Sequence, residues 1–290
     1  MDLGADVNAR AVDGVRPLHK AALSGHVETL QTLVRLGAGL SARDSQGARP
    51  LHWAGGAGHS EAVKVLVALG ARVSSRNANG AKVLHDAARG GHVETVVVLV
   101  RLLGADVNAT GGEGETPLHE AAEEGESGTV KALVALGADV HAVTARERNT
   151  PLHVARTAET ATALLQAGAD LNSRNADGVT PLLAAVMRGG QSEADADAEA
   201  SASAAAAMVR GGAAAEESDS VWWTALFVEA AEGGATAVRV LGECVEELSR
   251  RLEENGHHTR SPAQQAELAA TLARRQRLRM ALGVMMPLGS

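Results

Sequence analysis

Residues 116–123 read Thr-Pro-Leu-His-Glu-Ala-Ala-Glu, and variants of this octapeptide recur along the chain. Its Leu-His pair occurs five times, and the five leucines stand 33, 33, 34 and 34 residues apart: Leu18, Leu51, Leu84, Leu118 and Leu152. Threonine is a favoured helix N-cap, and proline is favoured at the first helical position. The octapeptide therefore predicts the start of a short helix that returns once per repeat unit.

The rest of each unit predicts a second helix and a turn. A glycine ends the short helix, and apolar residues then follow at helical spacing, for example Leu30, Leu33 and Val34. Further glycines close this second helix: Gly37, Gly70, Gly104, Gly137 and Gly168. Asp-x-x-Gly or Asn-x-x-Gly sequences, which are typical of turns, come next. A unit of two short helices cannot bury its apolar face alone, so the units must stack.

Composition excludes several classes of protein. The 290 residues include 58 alanines, 32 glycines, no tyrosine and one phenylalanine, so the core must be thin and close-packed. A net charge of −8 argues against nucleic-acid binding, and the single cysteine, Cys244, excludes an internal disulfide or a multi-cysteine zinc site. No apolar stretch approaches the roughly 20 residues that cross a bilayer. We expect a cytoplasmic protein, with the nucleus as the alternative.

The repeated residues resemble the ankyrin repeat family, whose pattern is close to Gly-x-Thr-Pro-Leu-His-x-Ala-Ala, Gly-His and Gly-Ala-Asp-Val-Asn-Ala. The resemblance is strong to about residue 185 and weaker to about residue 255. It implies an all-α helix-turn-helix solenoid with β-hairpin or turn fingers and six to seven stacked repeats. It also implies structural roles for most of the 11 histidines. One set hydrogen-bonds within and between repeats: His19, His52, His85, His119 and His153. His26, His59 and His92 hold the turns between helices.

Departures from the 33-residue spacing define the predicted boundaries. The fifth unit lacks its inter-helix turn, because Thr150 and Thr180 are only 30 residues apart. The chain is divided as follows: 1–10, closing part of an incomplete repeat; 11–190, repeats one to five and the start of repeat six; 191–203, a mobile acidic, Ala/Ser-rich insertion loop; 204–256, the rest of repeat six and a degenerate capping repeat seven with a long helix; 257–290, a linker and basic helical tail. Because the first ten residues match only the end of a unit, we expect an N-terminally truncated chain.

The residue after each Leu-His pair faces the concave groove in this family. The candidate partner-binding residues at this position are Lys20, Trp53, Asp86 and Glu120, followed by Val154, Ala184 and Val228. Trp53 is the large aromatic residue among them, and tryptophan is enriched at binding hot spots. In the alternative interpretation, Trp53 fills the space that Gly55 and Gly56 leave.

Charged residues form a second candidate surface. Arg16, Arg49 and Lys82 replace the expected threonine in the first three units, and Arg10, Arg43 and Arg76 open the turns. These residues predict two basic ladders along the finger tips, for partner binding or, alternatively, as solvated charge. The fourth unit is acidic, with glutamates at 113, 115, 120, 123, 124 and 126. The groove is therefore predicted to change sign along its length and to hold a partner in one direction.

The leading hypothesis is a monomeric, non-catalytic scaffold or adaptor that binds a protein or peptide through its groove and fingers. Phosphate-loop, nucleophile-elbow and zinc-protease motifs are absent from the sequence, so we expect no enzymatic activity, cofactor or metal. One alternative is a regulatory or substrate-targeting domain of a larger enzyme, such as a kinase or ubiquitin-ligase component. Another is a lipid-surface adaptor that uses the arginines between Arg274 and Arg279. We do not expect membrane attachment in the leading hypothesis.

Overall fold

A computed structural model describes residues 5–191 and 195–210, which form six helix-turn-helix units. The helices are α1 Pro17–Leu23, α2 Val27–Arg35, α3 Pro50–Gly56, α4 Ser60–Ala68, α5 Val83–Arg89, α6 Val93–Val97, α7 Pro117–Glu123, α8 Ser127–Ala135, α9 Pro151–Val154, α10 Ala158–Gln166, α11 Pro181–Gln191 and α12 Asp195–Arg210. The predicted capping repeat, Val228, Cys244 and the basic tail lie outside the described residues.

The helices stack in two layers. Each odd-numbered, inner helix packs on the inner helix of the next unit, and the even-numbered, outer helices do the same. The repeated leucine is fully buried in each of the first five units, and the outer helices add Leu30, Leu66, Leu99, Leu133 and Leu164. Small residues bring the inner helices together: a Cβ at Gly55 would collide with Val83 of the next unit. The predicted all-α solenoid is confirmed.

Finger loops connect the units and pair mainly through single backbone bonds. The amide of Ser45 donates to the backbone carbonyl of Asp13 at 2.8 Å, and the amide of Ala78 donates to the backbone carbonyl of Gln46 at 2.9 Å. Equivalent bonds join the remaining fingers. Within the described part of the chain, regular strand pairing is limited to one antiparallel bridge between Arg76 and Lys82. The fingers are therefore turns rather than extended hairpins.

A buried histidine is the third residue of each of the first five inner helices and joins that helix to the next finger. In the second unit, the Arg49 amide donates to Nδ1 of His52 at 3.3 Å, and Nε2 of His52 donates to the Ser75 carbonyl at 3.1 Å. The equivalent Nε2 bonds of the other units run to the carbonyls of Ala48, Glu115, Asn149 and Val179. An amide only donates and a carbonyl only accepts, so each ring is the neutral Nε2–H tautomer. The predicted role of these histidines is confirmed.

Thr116 and Thr150 stand at the predicted N-cap positions of α7 and α9, but their hydroxyls do not accept from the helix amides. The hydroxyls of Thr116 and Thr150 lie 2.9 and 2.8 Å from Nδ1 of the capping histidines, to which they donate. In the first three units the histidine caps the helix in the same way without a threonine. Thr180 accepts from the Leu183 amide at 3.4 Å in the sixth unit, where leucine replaces the histidine.

Three local changes absorb the irregular spacing. The extra residue of the third unit becomes a π-helical turn, Val98–Leu102, that continues α6. The extra residue of the fourth finger places Arg148 at a φ of 56°. In the fifth unit the deletion shortens α9 to four residues. Arg188 of the sixth unit compensates, because its guanidinium donates to the carbonyls of His153 and Ala155 at 2.5 and 3.0 Å.

The predicted insertion loop at 191–203 is wrong over most of its length. The outer helix of the sixth unit begins at Asp195 rather than Ala204, and it packs on α10 and α11. Buried Ser201, Ala204 and Met208 face this contact. Alanine has the highest helix propensity of any residue, which outweighs the polar character of the segment. Among the described helices, no apolar stretch is long enough to cross a bilayer.

The histidines predict that acid destabilises the solenoid. Burial lowers the pKa of all five rings, and that of His52 falls from 6.5 to about 4. The unfolded chain takes up these protons near pH 6.5, whereas the folded chain resists them. The free energy of unfolding therefore has its full value above pH 6.5 and decreases as the pH drops towards 4. His52 alone accounts for about 3 kcal/mol of this decrease.

Urea unfolding at about pH 7.5 and about pH 5 measures this loss. We expect His52→Gln to be less stable at the higher pH and less sensitive to acid. His141 is exposed, so His141→Gln is the matched control and should behave as the wild type. Equal pH dependence in the wild type and His52→Gln would contradict the assignment.

Candidate protein-binding groove

The groove lies between the inner helices and the fingers, and Trp53 joins these two walls. Its indole Nε1 donates to Oδ2 of Asp44 in the preceding finger at 2.8 Å. The ring meets His19 edge-on, with centroids 5.7 Å apart, and Nζ of Lys20 stands 5.4 Å from the ring centroid. Trp53 is half-buried and Lys20 is exposed. The first two units thus present a fixed aromatic ring beside an exposed cation.

Asp44 fixes both the finger and the indole. Its Oδ1 accepts from the amides of Gln46 and Ala48, each at 2.9 Å, while Oδ2 holds Trp53. The ring is therefore directed towards the first unit. A Cβ at Gly56 would meet only the Asp86 side chain within 4 Å, so Trp53 does not fill the space beside that glycine.

The third and fourth units bring together Asp86, Arg89 and Glu120. Nε and Nη2 of Arg89 both donate to Oε2 of Glu120, at 2.9 and 2.7 Å. Glu120 is buried, with 7% of its surface exposed. Burial raises the pKa of Asp86 to about 7, Arg89 opposes the change and Glu120 adds to it. Burial also raises the pKa of Glu120, against the effect of Arg89.

Arginines of neighbouring units pair with several glutamates of the fourth unit. Besides the Arg89–Glu120 pair, Arg156 lies 3.9 Å from Glu124 and Arg146 lies 3.9 Å from Glu113. The acidic residues of the fourth unit are therefore partly paired, because stacking places an arginine of an adjacent unit beside three of these carboxylates. Further along, Val154 and Ala184 present small, half-buried apolar side chains.

The predicted basic ladder does not stand at the finger tips. Arg16, Arg49 and Lys82 are half-buried at the starts of the inner helices. Nη1 of Arg49 donates to Oγ of Ser75 at 2.9 Å, and Nη1 of Arg16 lies 3.4 Å from Oδ1 of Asn8. Burial, followed by the nearby cations Arg43 and Arg72, lowers the pKa of Arg49. Arg16, Arg49 and Lys82 therefore belong mainly to the frame.

The turn-opening arginines form the exposed basic row: Arg10, Arg43 and Arg76. Nη1 of Arg43 donates to the Gly47 carbonyl at 3.5 Å, which closes its own turn. Nη1 of Arg76 lies 2.6 Å from the carbonyls of both Gly80 and Thr110, so it also reaches the next finger. This row keeps the one-per-repeat spacing that the sequence predicts.

Two residues of the groove were missed as candidates. Arg89 lies three residues after Asp86, so the two share a helix face, and the 33-residue register places Glu120 beside them. Asp44 opens a predicted turn, and this turn accounted for the residue in the sequence, so its second hydrogen bond, to Trp53, was not predicted. The repeat register could have identified Arg89, whereas the Asp44–Trp53 bond depends on the path of the finger.

Models of known families match this architecture. A three-copy ankyrin repeat model matches residues 1–77 and 69–144, and a single ankyrin repeat model matches residues 147–176. The chain belongs to the ankyrin repeat family. Ankyrin repeats are generally protein–protein interaction modules, and they are typically non-catalytic. A search of curated proteins found no match. In the described ankyrin repeats, no three His, Cys, Asp or Glu side chains are grouped as metal ligands would be.

The Arg89–Glu120 pair predicts a stability difference between buried and exposed ion pairs. Arg89→Met leaves a buried carboxylate without its cation, so we expect a loss of about 2 kcal/mol in the free energy of unfolding. Adding Glu120→Gln should restore most of it. Lys64→Met is the control, because it breaks an exposed pair with Glu61 and should cost much less than Arg89→Met. Urea unfolding of the four proteins tests this, and equal losses from Arg89→Met and Lys64→Met would contradict it.

Proposed function

We propose that this ankyrin repeat protein is a non-catalytic scaffold that binds a partner protein or peptide along its groove. The proposal rests on a difference in residue variation: the residues of the frame recur from unit to unit, and the residues of the groove do not. The capping histidine and buried leucine recur in the first five units, whereas the next residue is basic, aromatic, acidic or apolar in different units. These variable residues are Lys20, Trp53, Asp86, Glu120, Val154 and Ala184. A constant frame with one variable side chain per layer suits sequence-specific recognition.

Trp53 is the proposed anchor of the partner. The Asp44 bond and the His19 contact already fix its ring, so binding costs little further side-chain entropy. Its half-buried surface leaves part of the indole open to the groove. Fixed, partly exposed tryptophans of this kind dominate many protein interfaces.

The charges of the first two units favour an acidic segment of the partner at that end. Lys20 and Arg43 are exposed, and Arg16 and Arg49 add positive charge beneath them. Exposed cations act mainly on the association rate and are screened by salt. The aromatic anchor and the cations should therefore contribute to different rate constants.

A photo-crosslinker locates the partner. Leu23 lies one turn after Lys20 at the end of α1 and is 43% exposed, whereas Leu102 lies on the outer layer and is 69% exposed. The photoreactive residue p-benzoylphenylalanine at position 23 should capture the partner in cell extract, and the same residue at position 102 should not. Capture only from position 102 would place the binding surface on the outer helices.

With the captured partner, Trp53→Ala should weaken binding by about 2 kcal/mol or more, through faster dissociation at any salt concentration. Lys20→Met should slow association, and mainly at low ionic strength. Leu102→Ala is the matched control and should change neither rate. Surface plasmon resonance measures the rate constants. If both groove variants bind as the wild type does while remaining folded, the proposed function is wrong.

A further inference from the structure

We propose that the groove between the third and fourth units binds a lysine or arginine side chain of the partner, with Asp86 as its counter-ion. This inference rests on the proposed function and specifies the chemistry of what is bound. It adds a direction: the partner presents acidic residues to the first two units and a basic residue to Asp86.

The cluster of Asp86, Arg89 and Glu120 carries more negative than positive charge. Two carboxylates, Asp86 and Glu120, share one guanidinium, and among the described residues both hydrogen bonds of Arg89 go to Glu120. Among the described residues, no hydrogen bond reaches the Asp86 carboxylate, and its Oδ2 is buried. A buried carboxylate without a partner costs free energy, which a cation at its other oxygen, Oδ1, would recover.

Polar and charged groups face Asp86 from three helices. From α3, Gly55 and Gly56 contribute no side chain that competes, and His52 is already bonded to the Ser75 carbonyl. From α7, Glu120 faces the cluster, and exposed Glu123 and Glu124 lie one turn further on. From α5 itself, Arg89 is the cation, and it is held by Glu120.

A partner side chain can approach Asp86 from the side of Gly56. A Cβ at Gly56 would meet nothing but the Asp86 Cβ, at 3.5 Å, so the groove is open on that side. Trp53 occupies the equivalent position one unit earlier, where its ring already carries Lys20 at 5.4 Å. A partly buried carboxylate beside a glycine suits a cation on a long apolar stem, which lysine and arginine have.

The pH dependence provides a signature that a merely structural Asp86 would lack. Burial raises the pKa of Asp86 to about 7, so the carboxyl is partly protonated at neutral pH. A bound cation favours the ionised form, and binding must therefore weaken as the pH falls. For one group of this pKa, affinity should drop about tenfold between about pH 8 and about pH 6.

A random-peptide phage library, selected on the full chain at about pH 8, supplies the probe. Enriched peptides are synthesised with each lysine replaced by norleucine or each arginine by citrulline. We expect one such replacement to weaken binding about tenfold on the wild type and to have no effect on Asp86→Asn. Wild-type affinity should fall about tenfold on acidification, and Asp86→Asn should show no such fall. Asp86→Glu, which keeps the charge, should keep both effects, and Glu28→Gln on the outer layer should behave as the wild type.

The outcomes separate the two proposals. Enriched peptides that lose affinity with Trp53→Ala, but are indifferent to Asp86→Asn and to loss of their basic residues, overturn this inference and leave the proposed function intact. A selection whose peptides are all insensitive to both Trp53→Ala and Asp86→Asn overturns both. Thermal unfolding of each variant establishes that the folded protein is compared, and Asp86→Glu tests the site even if Asp86→Asn unfolds.

Discussion

A neutral imidazole between two repeats is the interaction on which the described structure depends. Each ring accepts a hydrogen bond from the amide that begins its own helix and donates one to the carbonyl of the next finger. His52 makes these bonds at 3.3 and 3.1 Å. One side chain thus satisfies a helix end and sets the distance and angle to the next unit. Buried leucines supply most of the stabilisation, but they are not directional, whereas these bonds are.

The groove takes its properties from this frame. Because the histidines and leucines hold the register, the residue after each histidine can differ between units while the stack is kept. Stacking also decides which charges are available to a partner. Arg89 crosses from the third unit to hold Glu120 of the fourth, and among the described residues the buried Oδ2 of Asp86 has no hydrogen-bond partner. The chemistry of the groove is therefore a property of adjacent units together.

The sequence was sufficient for the frame of the repeats. Five copies of one octapeptide predicted the helices and their order, and the resemblance to ankyrin repeats implied the role of the histidines. It was not sufficient where the outcome depends on the distance between layers or on a balance of propensities. The half-buried positions of Arg16 and Arg49 follow from how far a guanidinium reaches across a finger. The helix from Asp195 reflects alanine propensity and packing on α10 and α11, which the acidic composition concealed.

Nitrogen-15 NMR of the histidine rings tests the central claim most directly, because the shifts of Nδ1 and Nε2 distinguish the two neutral tautomers from the charged ring. At neutral pH, the account predicts that His19, His52, His85, His119 and His153 all carry their proton on Nε2 alone. His141, which is exposed, provides the solvent reference within the same spectrum. Rings that carry the proton on Nδ1, or that exchange between tautomers as an exposed ring does, would contradict the assignment of these residues as the bridges between repeats.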